Sequence, residues 1–218
     1  MENYLKVLSI GIVLTTFALV ANKRMNSYIK TFQLQSVVLA VLSLLLGISN
    51  LYLTGNPEIF IVGLITIGVK VIYIPSLLCK TVAKVEYKVE KDFLWPIPIS
   101  ILMSCGLVVL AYAVVTRVND LTDGNLRIYL ANSIAVVLIG LFFMISRKKA
   151  IGQIIGFLVI ENGLFTAAIL STEGMPMIVE LGIFFDLLTA VLIMGILVFR
   201  INENFESIDT DKLKNLRG

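Results

Sequence analysis

The chain has 218 residues, 58% of them hydrophobic and 15% charged, with a formal charge of +3. A water-soluble domain sits near 45–50% apolar and about 25% charged, so the apolar excess here must face lipid, and the slight charge imbalance excludes a nucleic-acid footprint. There is no histidine and only Cys79 and Cys105, which rules out a His-ligated haem, a zinc tetrad or a four-thiolate iron–sulfur cluster held by this chain alone. Both cysteines fall in or beside apolar runs without CxxC spacing and read as buried small hydrophobes.

A membrane-crossing helix needs about 20 mainly apolar residues to span roughly 30 Å of hydrocarbon. Seven such runs follow one another: Tyr4 to Ala21, Phe32 to Leu53, Glu58 to Cys79, Trp95 to Val115, Leu126 to Ser146, Ile151 to Ser171 and Met177 to Arg200. They use most of the chain and leave no space for a soluble catalytic domain. The expected fold is therefore all-α, a polytopic membrane protein of seven transmembrane helices. Gly55-Asn56-Pro57 and Gly174-Met175-Pro176 place a proline near a helix start, where its missing N–H costs nothing.

The connections fix the expected orientation, because cytoplasmic loops retain Lys and Arg. Lys23, Arg24 and Lys30 fall in the first connection, Lys80, Lys84, Lys88 and Lys91 in the third, Arg147, Lys148 and Lys149 in the fifth, and Arg200, Lys212, Lys214 and Arg217 in the tail. The opposite side has only Lys6, Arg117 and Arg127. This places the N-terminus outside and the C-terminus in the cytoplasm. In the first segment the basic residues follow the apolar run, the reverse of a signal peptide, so it is expected to remain uncleaved. In the third connection Val82, Val85, Val89 and Phe93 recur at helical spacing among Lys and Glu, the pattern of an amphipathic helix at the inner interface; a solvated charged loop fits equally well.

Ser9-Ile10 through Lys23-Arg24 is spaced like Ser133-Ile134 through Arg147-Lys148, and Phe32 to Gln35 then aligns with Leu158 to Glu161. The first three helices read either as a parallel, diverged copy of the last three or as a chance likeness between apolar helices. The resulting division is 1–94, a three-helix membrane bundle plus cytoplasmic loop; 95–125, a linking transmembrane helix; 126–201, a second three-helix unit; and 202–218, a cytoplasmic tail.

Charged groups deep in a span cost about 2.5–3.5 kcal/mol each on insertion scales, and they mark functional positions facing protein or water. Lys70, Glu161 and Asp186 lie 12, about 10 and about 9 residues into their spans, or roughly 14–18 Å deep at 1.5 Å per residue. Glu180 sits one turn below the outer face, where snorkelling is open to it. Burial disfavours the charged form of each group and makes its protonation answer to neighbouring charge, which is what a proton or ion relay requires. Static salt-bridge glue is the alternative. Pro75, five residues after Lys70, cannot donate to the Val71 carbonyl and predicts a kink there, with that carbonyl free for Lys70 or a water. Gln33, Gln35, Asn132, Gln153 and Asn162 add neutral donors and acceptors, each individually more often interhelical glue than path. A retinal protein is excluded, since the last helix carries Asp186 and no central lysine. A signalling receptor is disfavoured by the lack of a large outer loop or an outer Cys pair.

Gly156-Phe157-Leu158-Val159-Ile160-Glu161-Asn162-Gly163, the stretch Gly174-Met175-Pro176 through Glu180 to Phe184-Phe185-Asp186-Leu187-Leu188, the tail Ile208 to Gly218, and Lys70 followed by Ile74-Pro75 together resemble the E component of hydrogenase-4 type, group 4 membrane-bound nickel-iron hydrogenases. The last three helices are more distantly similar to the K subunit of respiratory complex I and the C subunit of multisubunit cation/proton antiporters. In that comparison Glu161 falls on the K subunit's second-helix glutamate, and Asp186 stands near its third-helix glutamate, an Asp in place of Glu. The resemblance implies a non-catalytic membrane-arm subunit in a prokaryotic plasma membrane, with Glu161, Asp186, Lys70 and Glu180 contributing to a proton or ion relay. It implies no cofactor in this chain, the nickel-iron site and iron–sulfur clusters belonging to partner subunits. The implied partners are membrane lipid, antiporter-like and anchor membrane subunits, and a peripheral hydrogenase arm met by the cytoplasmic loops. A subunit of a cation/proton antiporter and a purely structural scaffold are the alternatives.

Overall fold

The computed structural model describes residues 2–83, 95–117 and 124–171, and all the elements in these segments are helical. They are α1 (Glu2–Ala21), α2 (Met25–Thr54), α3 (Glu58–Thr66), a π-helical segment (Ile67–Tyr73), α4 (Ile74–Ala83), α5 (Ile97–Val115), α6 (Gly124–Ser146) and α7 (Ala150–Ser171). Since α3, the π-helical segment and α4 run on as one rod, the described residues hold six helices long and apolar enough to cross a membrane. The seventh expected span, the tail, and most of the expected amphipathic segment lie outside the described residues.

Helix α2 begins at Met25, a full two turns before the expected Phe32. Met25, Tyr28, Ile29 and Phe32 are each at most 1% exposed, an i, i+3, i+4, i+7 stripe that packs inward. Asn26, Ser27, Lys30 and Thr31 between them lower the local hydropathy enough to imitate a loop. The helix is 30 residues long, about 45 Å at 1.5 Å per residue, and so exceeds a hydrocarbon core of about 30 Å. It closes on Gly55, whose φ of 73° is left-handed and whose N–H donates to the Leu51 carbonyl.

The core is built from two hairpins. Helix α6 packs along α7 and α1 along α2, while α1 lies against α6 and α2 against α7. Close approach is set by glycine. A Cβ at Gly47 would stand 2.6 Å from the Phe60 backbone, and one at Gly156 would stand 2.9 Å from Met144 Cα, so α2–α3 and α6–α7 meet backbone to backbone there. Helix α5 leans on α6 and α1 and is the most exposed of the spans, whereas α7 is the most enclosed. Cys79 on α4 and Cys105 on α5 are both exposed, which corrects their expected burial: an apolar run in a membrane chain fits lipid as well as protein interior.

Before Pro75 the chain takes a π-helical turn, with the Ile74 N–H donating five residues back to the Val69 carbonyl. The Val71 carbonyl accepts from Gln33 Nε2 of α2 at 3.0 Å, so a neighbouring helix helps to satisfy the group that Pro75 leaves open.

Candidate functional site: a buried ion pair at mid-span

Lys70 lies at the middle of the Glu58–Ala83 rod and Glu161 at the middle of Ala150–Ser171. The two side chains meet, with Lys70 Nζ 2.8 Å from Glu161 Oε1 and side-chain exposures of 2% and 5%. The π-helical turn carries the lysine, and its wider winding places Lys70 on the inward face. On α7, Glu161 is framed by Leu158, Asn162 and Phe165, all buried. Lys70 Nζ also stands 5.2 Å from the centre of the Phe165 ring, within range of its negative face. Such a pair gains little over packed apolar side chains, because desolvating two ions offsets most of their attraction. What the arrangement offers is two oppositely charged side chains in direct contact in a medium of low polarity, where each lies in the strong field of the other.

Neutral side chains continue from the pair. Lys70 Nζ donates to Asn162 Oδ1 at 3.3 Å, and Asn162 Nδ2 donates to Gln35 Oε1 at 3.1 Å. Gln35 Nε2 donates to Thr16 Oγ1 at 2.8 Å. Asn162, Gln35 and Thr16 are fully buried, so each must find its partner inside the protein. The sequence flagged Gln35 and Asn162 as isolated amides but missed Thr16, whose only signal is its place one turn after Ile12 on the inward face of α1.

About 10 Å further along α1, at 1.5 Å per residue, Ser9 belongs to a second polar layer. Asn132 Nδ2 donates to Ser9 Oγ at 2.9 Å, and Tyr112 Oη donates to Asn132 Oδ1 at 2.7 Å, joining α1, α6 and α5. At the far end of α1, Arg147 is only 3% exposed. Its Nη2 donates to the Val20 carbonyl at 3.1 Å, and its guanidinium stacks 4.4 Å from the Phe143 ring and 5.2 Å from that of Tyr28. The sequence read Arg147 as one of three loop charges. In the structure it is a buried cap on the electronegative C-terminus of α1, and Phe143, one turn earlier, was the available signal. Gln153 is drawn to the same corner, its Nε2 donating to the Arg147 carbonyl at 3.1 Å.

Of the four predicted relay residues, the structure brings Lys70 and Glu161 together. Asp186 and Glu180 lie outside the described residues. Among the described residues no group of three or more His, Cys, Asp and Glu is placed to hold a metal ion.

The profile of the family described as NADH-ubiquinone/plastoquinone oxidoreductase chain 4L matches residues 128–218. Over 208 residues, 95% of this chain and 93% of the relative, the sequence is 33% identical to Uncharacterized protein Rv0085 of Mycobacterium tuberculosis. It is 26% identical over 149 residues to Hydrogenase-4 component E of Escherichia coli strain K12, covering 68% of this chain and 69% of that one, with the same figures for the protein of that name in Shigella flexneri. No solved structure matches.

Proposed function

Given that the chain belongs to the hydrogenase-4 component E family, and is thereby a membrane-arm subunit of a complex I-like assembly, we propose that it helps to couple electron transfer in a nickel-iron hydrogenase to the movement of protons or sodium ions across the membrane. The observation that carries this reading is the Lys70–Glu161 contact at 2.8 Å, in the middle of two spans. A charge change arriving from a neighbouring subunit shifts the balance between the two forms of the pair, and the pair passes that change on. Asp186 and Glu180 extend the relay along the bilayer midplane and towards the outer face.

The chain itself is non-catalytic in this reading. Its donor set does not fit a nickel-iron site or an iron–sulfur cluster, since it has no His and its two cysteines sit on different helices, both at the surface. Those groups belong to partner subunits, docked by the inner loops and the tail. The arrangement proposed is seven spans with the N-terminus outside and the C-terminus in the cytoplasm of a prokaryote. The match over 128–218 supports reading 126–201 as a chain-4L-like unit joined through 95–125 to the bundle of 1–94.

The test is Glu161→Gln in the assembled complex, with ion translocation measured per electron transferred. Translocation is expected to fall while assembly and hydrogenase activity survive. Unchanged translocation in an intact assembly rejects the relay and leaves a scaffold. Purification of the native complex tests the setting: hydrogenase subunits carrying paired CxxC motifs should accompany the chain, and antiporter subunits without them would reject it.

A further inference from the structure

Four hydrogen bonds lead from Lys70 towards α1, and these four run in one direction. Lys70 donates to Asn162, Asn162 to Gln35, Gln35 to Thr16, and Thr16 Oγ1 to the Ile12 carbonyl at 2.8 Å. That sense is forced by the first member. An ammonium has donors only, so Asn162 must turn its oxygen towards Lys70. Its nitrogen then faces Gln35 and requires an oxygen there. The Gln35 nitrogen is left facing two acceptors, Thr16 Oγ1 and the Ile12 carbonyl at 3.3 Å. Every amide dipole thus points its negative end at the cation, and aligned bonds of this kind strengthen one another. Reversal would require both buried amides to flip together and would set an N–H against an ammonium.

A carboxamide neither takes up nor releases a proton in the physiological range, so this line supports charge without conducting it. We propose that Thr16, Gln35 and Asn162 are positioning residues, a proton-blind brace from α1 through α2 and α7 that fixes the Lys70 ammonium and closes the α1 side of the pair, leaving exchange to the Glu161 carboxylate. The functional half of this inference rests on the relay reading; the electrostatic half does not.

The two halves are separated by infrared difference spectroscopy on the assembled complex in its native membrane, with the Glu161 carboxyl band assigned by its loss in Glu161→Gln. Thr16→Val is nearly isosteric and three hydrogen bonds from Lys70, yet it is expected to shift that band. Thr15→Val is the control: Thr15 Oγ1 also donates to the Ile12 carbonyl, at 2.7 Å, but takes no part in the line, and its band should stay in place. Gln35→Leu and Asn162→Leu should shift the band further. Because the members act in series, the double variant should shift it no more than Asn162→Leu alone. Translocation per electron should fall severalfold in Thr16→Val and Gln35→Leu.

If Gln35→Leu fails to assemble, Thr16→Val carries the test by itself. Identical bands in Thr16→Val and Thr15→Val, or additive shifts in the double variant, overturn the brace. Unchanged translocation in Glu161→Gln together with the expected band shifts rejects the relay and keeps the brace. Lost translocation in Glu161→Gln with an immobile band in Thr16→Val rejects the brace and keeps the relay.

Discussion

Lys70 Nζ and Glu161 Oε1 lie 2.8 Å apart, joined from two spans with α5 and α6 between them among the described residues. Each side chain is the other's main reason for being tolerated at mid-span, since either one left without its partner is a buried ion in a poor solvent for ions.

That dependence predicts strong non-additivity. Lys70→Met alone or Glu161→Leu alone should each cost about 3–5 kcal/mol of stability, and the double variant Lys70→Met/Glu161→Leu should recover most of it. Thermal unfolding of the purified complex in detergent measures this. The recovered double variant should still be defective in translocation, because stability needs the pair only to be absent or complete. Additive losses would mean that the two charges are held by separate partners.

Arg147 couples the end of α1 to the α6–α7 connection through its Val20 bond and its two aromatic contacts. Arg147→Lys keeps the charge but loses the planar fork and the stacking, and should cost about 1–2 kcal/mol. Arg147→Met should cost more, through the open C-terminus of α1. If Lys and Arg prove equivalent by thermal unfolding, the contribution is charge alone and the ring contacts are incidental.

Gly47 and Gly106 form a matched contrast. A Cβ at Gly47 meets the Phe60 backbone at 2.6 Å, while one at Gly106 meets nothing within 4 Å. Gly47→Ala should therefore destabilise the α2–α3 hairpin by about 1–3 kcal/mol through overpacking, and Gly106→Ala should leave it within about 0.5 kcal/mol of the parent. Equal melting temperatures for the two variants would show that the α2–α3 contact is looser than described.

The proposed seven crossings can be counted from outside. In a background with Cys79 and Cys105 replaced by serine, single cysteines at Lys23 and Arg217 should react with a membrane-impermeant maleimide only from the cytoplasmic face. One at Asn56 should react only from the opposite face. Labelling of positions 23 and 217 from different sides would remove a crossing and overturn the orientation derived from the Lys and Arg distribution.

The spans α1, α5, α6 and α7 were legible almost to the residue, because a run of about 20 apolar residues has few alternatives to crossing a bilayer. The start of α2 was not: its buried stripe Met25, Tyr28, Ile29 and Phe32 has the right period, but the polar residues between them outweigh it in an averaged hydropathy. Lys70 and Glu161 stood out singly for their cost in lipid. Their contact, and the line through Asn162 and Gln35 to Thr16, join four separate stretches of chain whose mutual rotation no local pattern encodes.

By itself, then, the sequence determined that these segments are helical and lipid-embedded and which of their groups are expensive there, since transfer from water to hydrocarbon depends on composition and length alone. Only the tertiary structure decided which face of each helix turns inward. Lipid and protein interior are equally apolar, so hydropathy left Cys79 and Cys105 looking buried and Arg147 looking solvated. Close packing at Gly47 and Gly156, together with the need to pair every buried polar group, set the rotations that reversed both readings.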